Sequence, residues 1–343
     1  MTRLTGTLAC GLATLTATAA LAEGELHIFN WGNYTPPELI EKFQDTYDVR
    51  VTVTEYDSND AALAKIKAGG HGFDIVVPTS SFLPIWIEEG LLLQTRPDQM
   101  ENFANVLPEW VDVDWDPGRT YTAPYQWGTT GILIHTGSYE GDINTSAIFL
   151  DPPEELRGRI NVVPEMQDVM NLAIMYYGGE MCTDDMDILR QVRDGLLAAK
   201  PNWTGIDYPP FETFINEDIL ASTFWNGASM RIRQANPAFA YGHPREGFPI
   251  FMENIAVLAD ARNPDNAALF QNFVMDPENA AIISNFARYS NAIKGSEAFM
   301  DPDLIDAPEL HIPEDLRASA QFARLCAPAT QDLYTRIWTE VLR

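Results

Sequence analysis

One rhythm repeats through the first hundred residues behind the N-terminal segment, and it limits the folds open to this chain. "LHIF", from Leu26, is a short apolar run. In "TPPELIEKFQDTY", Leu39, Ile40, Phe43 and Tyr47 fall on one helical face. Thr35 can cap that helix, Pro36 and Pro37 can start it, and Glu38 suits its first turn. "VRVTVTEY" alternates as a strand does, and "DSNDAALAKIKAGG" opens on capping residues and stops at Gly69 and Gly70. "FDIVVP" is apolar on both faces, like strands inside a parallel sheet. Strand, helix, strand, helix, strand predicts an α/β protein. The pattern resumes in "YQWGTTGILIHTG", "GRINVVP", "EMQDVMNLAIMYYGG", "DMDILRQVRDGLLAAK", "ILASTFWNGAS" and "GFPIFMENIAVLAD", and ends on an amphipathic "PATQDLYTRIWTEVLR". At 343 residues there is chain enough for two domains. No Pro/Ser-rich linker parts one half from the other, so the chain is expected to cross between two lobes more than once.

The segment ahead of this pattern reads as an export signal. Arg3 precedes the small, apolar run "LACGLATLTATAALA", and Ala20-Leu21-Ala22 suits cleavage, making residues 1–22 a signal peptide and Glu23 the first mature residue. Cys10 raises a lipid-anchored alternative, but Thr7-Leu8-Ala9-Cys10 lacks Leu at the third position before Cys. No later run reaches the ~18 apolar residues of a membrane span. An exported product is expected. Cys182 and Cys326 remain in it and read as one disulfide in an oxidising compartment, with two free thiols as the alternative. The whole chain carries 49 acidic against 22 basic residues, a formal charge of −27. Nucleic acid and anionic lipid are poor partners for such a surface, and a cationic solute would be drawn to it. Solubility or a salty habitat accounts better for most of these charges, so charge permits a cationic ligand without indicating one.

Position indicates more. In open α/β sheets, ligands sit beyond the carboxyl ends of the strands. Asn30, Trp31 and Tyr34 follow the first strand; Thr79, Ser80 and Ser81 follow "FDIVVP"; Glu165 and Asp168 follow "INVV". Trp225 and Asn226 follow "ASTF", and Phe251 and Glu253 follow "FPI". Taken singly, each has a structural explanation: a buried Trp, an acid in a helix's first turn, a hydroxyl cap. Taken together, five strand ends carry aromatics, hydroxyls or carboxylates, and none carries Lys or Arg. Such a set suits an alkyl ammonium, whose charge meets carboxylates and ring faces while its methylenes are covered by aromatic surface.

These residues resemble the periplasmic polyamine-binding proteins that feed ABC importers, the spermidine- and putrescine-binding components. The resemblance spans essentially the whole mature chain and is carried by "FNWGNYTPPELIEKF", "EYDSNDAALAKIKAG", "FDIVVPTSSF", "YTAPYQWGTTGI", "FWNGAS", "PREGFPIFMENIAV" and "YTRIWTEV". It implies a two-lobed, type II-like solute-binding fold with its ligand cleft at a multi-segment hinge. Lobe 1 would hold residues 23–128 plus 253–295, and lobe 2 residues 129–252 plus 296–343, with crossings near Gln126–Thr130, near Phe251–Asn254 and after Asn291. It also implies roles: Trp31 and Tyr34 in an aromatic wall, Thr79 and Ser81 as hydroxyl contacts, and Asp168 with Glu165 on one ammonium. Trp225 would stack on the ligand chain, Phe251 would pack its methylenes, Glu253 would hold another ammonium, and Tyr289 would close the rim. Gly32 stands where relatives often place Ser or Thr, Ser81 and Phe251 look putrescine-like, and Glu165 matches the spermidine type, so ligand length stays open. Arg324 lies near the register of a C-terminal polar contact that cannot be placed.

The implied partners are a polyamine and an inner-membrane ABC permease; we expect a monomer with no cofactor and no nucleic-acid ligand. Agmatine is the alternative solute. A betaine's carboxylate would need a basic contact that the strand ends do not supply. Catalysis is the remote alternative: His27, His71, His135, His243 and His311 are scattered without metal-ligand spacing, and no GxSxG, Walker A or GxGxxG motif occurs.

Overall fold

The computed structural model describes residues 24–343; the expected signal segment and Cys10 lie outside the described residues. The strands are β1 (Glu25–Trp31), β2 (Arg50–Tyr56), β3 (Ile75–Val76), β4 (Thr122–His135), β5 (Ile160–Val162) and β6 (Trp203–Ile206). They continue with β7 (Ala221–Trp225), β8 (Phe239–Gly242), β9 (Phe248–Val257), β10 (Ser290–Asn291) and β11 (Ala320–Phe322). Their order is β2-β1-β3-β9-β4-β7-β5-β6, with β8 and β10 also on β4 and β11 on β9. β1 runs parallel to β2 and β3, and β5 runs parallel to β6 and β7. These are the two α/β units that the sequence rhythm predicts.

β4 joins them. Its first part, Thr122 to Thr129, pairs antiparallel with β9, and the register shifts between Pro124 and Trp127. From Thr130 to Ile134 it pairs with β7 instead. One strand therefore belongs to both halves of the sheet, and the cores divide along it. Ile132, Leu133 and Ile134 pack with the helix Met166–Tyr176 and the terminal helix Pro328–Leu342. Ala123 and Tyr125 pack instead with β1, β9 and the helix Pro37–Tyr47. Phe248 falls in the former core, and Phe251 and Met252 in the latter. Half-buried Trp225 touches both.

Local chemistry fixes the strand ends. Pro37 opens its helix, which closes at Asp48 in the left-handed conformation, where the Asp48 N–H donates to the Gln44 carbonyl. Thr35 does not cap it: its hydroxyl accepts from Asn30 Nδ2 at 2.8 Å, tying the turn to the end of β1. Ser58 does cap the helix Asn59–Lys67, accepting from the Ala61 N–H. Ahead of β4, fully buried Arg119 donates to the Trp110 carbonyl and to Asn254 Oδ1 of β9 at 2.9 and 2.8 Å. Burial lowers its pKa to about 10, opposed by the charge of Asp116.

β11 lies beside β9, and the Phe322 ring meets Trp110 and Trp115 at centroid distances of 5.6 and 5.7 Å. Four residues on, Cys326 is disulfide-bonded to Cys182 across 144 residues of sequence. Buried Cys326 and half-buried Cys182 both pack on the core around the helix Met166–Tyr176. Closing so long a loop restricts the unfolded chain by up to ~5 kcal/mol in the entropy model. A chain starting at Glu23 should therefore take up no thiol label when denatured without reductant, and Cys326→Ser should lower its melting temperature; unchanged melting in scanning calorimetry would remove the cross-link from the stability of the fold.

Candidate functional site

Two indoles hold two carboxylates across one cleft. Trp31, ending β1, donates its Nε1–H to Glu253 Oε2 on β9 and to the Val77 carbonyl, both at 2.9 Å. Trp225, ending β7, donates its Nε1–H to Asp168 Oδ2 at 2.8 Å. Asp168 lies in the first turn of the helix Met166–Tyr176, and Glu165 occupies the position just before it. Glu165 makes no side-chain cap, and its Oε2 is buried without a partner. Glu253 also accepts from Thr79 Oγ1 at 3.0 Å, and Asn59 Nδ2 donates to that hydroxyl at 3.0 Å. Thr79 and Ser80 are thus not helix caps: Thr79 serves the acid, and the Ser80 hydroxyl accepts from the Met252 N–H.

The remaining walls are aromatic. Tyr34 and Tyr289 lie 5.3 Å apart at their ring centroids, and Phe251 meets Tyr289 edge to face at 6.0 Å. Ser81 lines the same cleft, so the structure gathers all ten residues singled out in the sequence around one space of about 800 Å³, counting its open mouth. Among the described residues, no group of three His, Cys, Asp or Glu side chains is placed to hold a metal ion.

Burial dominates the electrostatics. It pushes Glu253 up to about 8, opposed by the Thr79 and Trp31 hydrogen bonds. It pushes Asp168 up to about 6, opposed by Trp225 and Thr130. Glu165 rises well above the ordinary carboxylate range, first from burial and then from the charges of Asp168, Asp60 and Glu253. Burial, with the charge of Asp168 added, thus favours the protonated forms of Glu165 and Glu253 in the unliganded cleft. A cationic guest would replace those protons.

Sequence reasoning misses Tyr56, Asp57, Asn59, Gln167, Tyr208 and Arg231, which also line the cleft. Tyr56 was within reach of the strand-end rule, since it ends β2 directly opposite Trp31; Tyr208 lies two residues beyond β6. Arg231 corrects the expectation of a cleft without a basic residue. It stands six positions past the end of β7, in the helix Asn226–Ala235, where the strand-end rule does not look. Its guanidinium lies 5.0 Å from the Phe211 ring centroid, and Nη1 approaches the Asn33 carbonyl at 3.5 Å. Arg324 is elsewhere, donating to the Met181 carbonyl at 3.3 Å; its neighbour Ala323 lines the cleft. A Cβ at Gly32 would have room, with Glu55 Oε2 nearest at 3.7 Å, so packing does not forbid a hydroxyl-bearing side chain there.

Two α/β lobes sharing a strand, with a solute-sized acidic and aromatic cleft between them, define a solute-binding protein. The chain belongs to the family of bacterial extracellular solute-binding proteins, whose sequence pattern matches residues 38–312. It is similar to the putrescine-binding periplasmic protein PotF of Escherichia coli (strain K12), at 28% identity over 96% of this chain and 94% of that one. The spermidine/putrescine-binding periplasmic protein of the same organism is 26% identical over 89% of this chain and 88% of that one. A solved structure from Listeria monocytogenes, assigned to a spermidine/putrescine ABC transporter, superposes with a TM-score of 0.86 at 25% identity, over 92% of this chain and 98% of that one.

The raised Glu253 predicts a pH signature in the unliganded protein. Its folded pKa, about 8, exceeds the ordinary 4.5, so ionising it costs stability progressively as pH rises between those values. Glu253→Gln should therefore be the more stable protein at pH 8, by an amount on the order of 2–4 kcal/mol, with the gap closing below about pH 5. Denaturant unfolding of both proteins across that range checks it; a gap that stays constant with pH would show that Glu253 ionises freely.

Proposed function

We propose that this protein is the solute receptor of an importer: it captures an aliphatic amine cation of the putrescine and spermidine class in the periplasm and offers it to an inner-membrane ABC permease. The observation that carries this reading is the pair of carboxylate–indole contacts, Glu253 with Trp31 and Asp168 with Trp225, contributed from the two sides of one cleft. An ammonium in that gap donates charged hydrogen bonds worth ~1.5–3 kcal/mol each. Ring faces add ~0.5–2 kcal/mol per cation–π contact. Because Glu253 and Asp168 sit on different cores, a cation between them draws both lobes onto itself. We assign the lobes as residues 23–128 plus 253–295 and residues 129–252 plus 296–343. The division of the two cores supports this, apart from Phe251 and Met252, which pack with the first lobe. The printed names of the relatives, binding proteins for putrescine and spermidine, support the solute class. The receptor reading, as against an enzyme on the same scaffold, rests on the family.

Calorimetric titration of the mature protein with putrescine, cadaverine, agmatine, spermidine and homospermidine tests the reading; silence from all five, with no rise in melting temperature, would sink it. Binding should release protons, because Glu253 must ionise to meet an ammonium, so affinity should rise from pH 5 towards pH 8 and then level off. Glu253→Gln should weaken binding by ~1.5–3 kcal/mol at pH 8. An unchanged dissociation constant would take Glu253 out of the site.

A further inference from the structure

The cleft has two unlike ends. At one, Glu165, Asp168 and Glu253 offer acceptors only, and the charges acting on Glu165 and Glu253 are those of other acids. At the other stands Arg231. Its positive charge opposes the burial-driven rise in the pKa of Tyr34, Tyr208 and Tyr289, which places it within electrostatic reach of all three phenols. This end is therefore rich in donors: a guanidinium with five N–H groups and a set of hydroxyls.

Arg231 hydrogen-bonds the Tyr208 side chain and otherwise has donors to spare. Its Nε is buried without an acceptor, and the approach of Nη1 to the Asn33 carbonyl, at 3.5 Å, is long for a hydrogen bond. Among the described residues no carboxylate lies within 4.0 Å of it. Two residues on, Arg233 is paired twice with Glu309, and Arg288 is paired with Asp301 at 3.0 Å. In a chain with 49 acids for 22 bases, a half-buried arginine in a ligand cleft without a carboxylate is not short of candidates by composition. Stacking on Phe211 accounts for the plane of the guanidinium and leaves its N–H edge unexplained. That edge matches a carboxylate, which accepts two parallel N–H bonds from arginine.

We propose that the Arg231 end is an anion subsite, and that the preferred solute is an ω-amino carboxylate: an aliphatic chain with an ammonium among the three acids and a carboxylate on Arg231 and the neighbouring phenols. This rests on the amine reading of the acidic end and changes only the group at the far end. A linear diamine long enough to reach Arg231 meets a like charge there, whereas the amino acid of equal length meets its complement.

Calorimetry with matched pairs tests it: putrescine against 4-aminobutyrate and cadaverine against 5-aminopentanoate, on wild type, Arg231→Gln and Arg231→Lys. In wild type the amino carboxylate of at least one pair should bind ten-fold or more tighter than its diamine. Arg231→Gln should erase that preference, with the diamine unchanged or tighter, and Arg231→Lys should keep part of it. The ratio of two affinities within one variant does not depend on the fraction folded, so a weakened variant still reports. A wild type that favours the diamine in both pairs, or a ratio unmoved by Arg231→Gln, overturns the anion subsite while the amine reading stands. No binding by any of the four compounds removes the acidic end as an amine site, and this inference with it.

Discussion

Keeping three carboxyl groups out of water in one small space is the constraint on which the rest depends. Burial penalises their charged forms, and the charge of Asp168 raises both Glu165 and Glu253 further. A protein can tolerate this if the acids are held by other groups so that they neither collapse onto one another nor turn out to solvent. The indole N–H groups of Trp31 and Trp225, and the Thr79 hydroxyl set by Asn59, do that holding. The tryptophans therefore have two functions at once: their edges restrain the acids, and they line the space beside them.

The frame keeps those restraints on separate bodies. β4 gives its first residues to one core and its last to the other, with a register shift in between. Gln126, Thr129 and Thr130 are buried along it, where two apolar cores meet without merging. Asn226 Oδ1 accepts from the Thr129 N–H, so the residue next to Trp225 fastens the shared strand while Trp225 itself reaches Asp168. Helix, strand and acid are thus indexed to the crossing rather than to a flexible linker.

Much of this was legible in the sequence because strands and helices announce themselves by period. The strand-end rule then converts period into position: Trp31, Thr79 and Trp225 could be placed at one edge before any fold was known, whereas Phe251 and Glu253, expected beyond the end of a strand, lie within β9. Tyr56 obeys the same rule, ending β2 opposite Trp31 on a strand with few buried residues. Arg231 was not legible. It reaches the cleft from the second turn of a helix, and only tertiary packing decides which face of that helix looks inward. Thr35 shows the same limit locally, since its hydroxyl had two acceptable uses, a helix cap or a bond from Asn30, and three-dimensional context chose the second.

The short stretch between Phe322 and Cys326 spans two anchorages. Phe322 leans on Trp110 and Trp115 on one side, and the cross-link to Cys182 holds Cys326 on the other. Ala323, between them, forms part of the cleft wall. Any rotation of one lobe against the other has to be absorbed in those few residues or in the aromatic contact itself. The C-terminal strap thus ties a residue of the cleft wall to two indole rings far along the chain from Trp31 and Trp225.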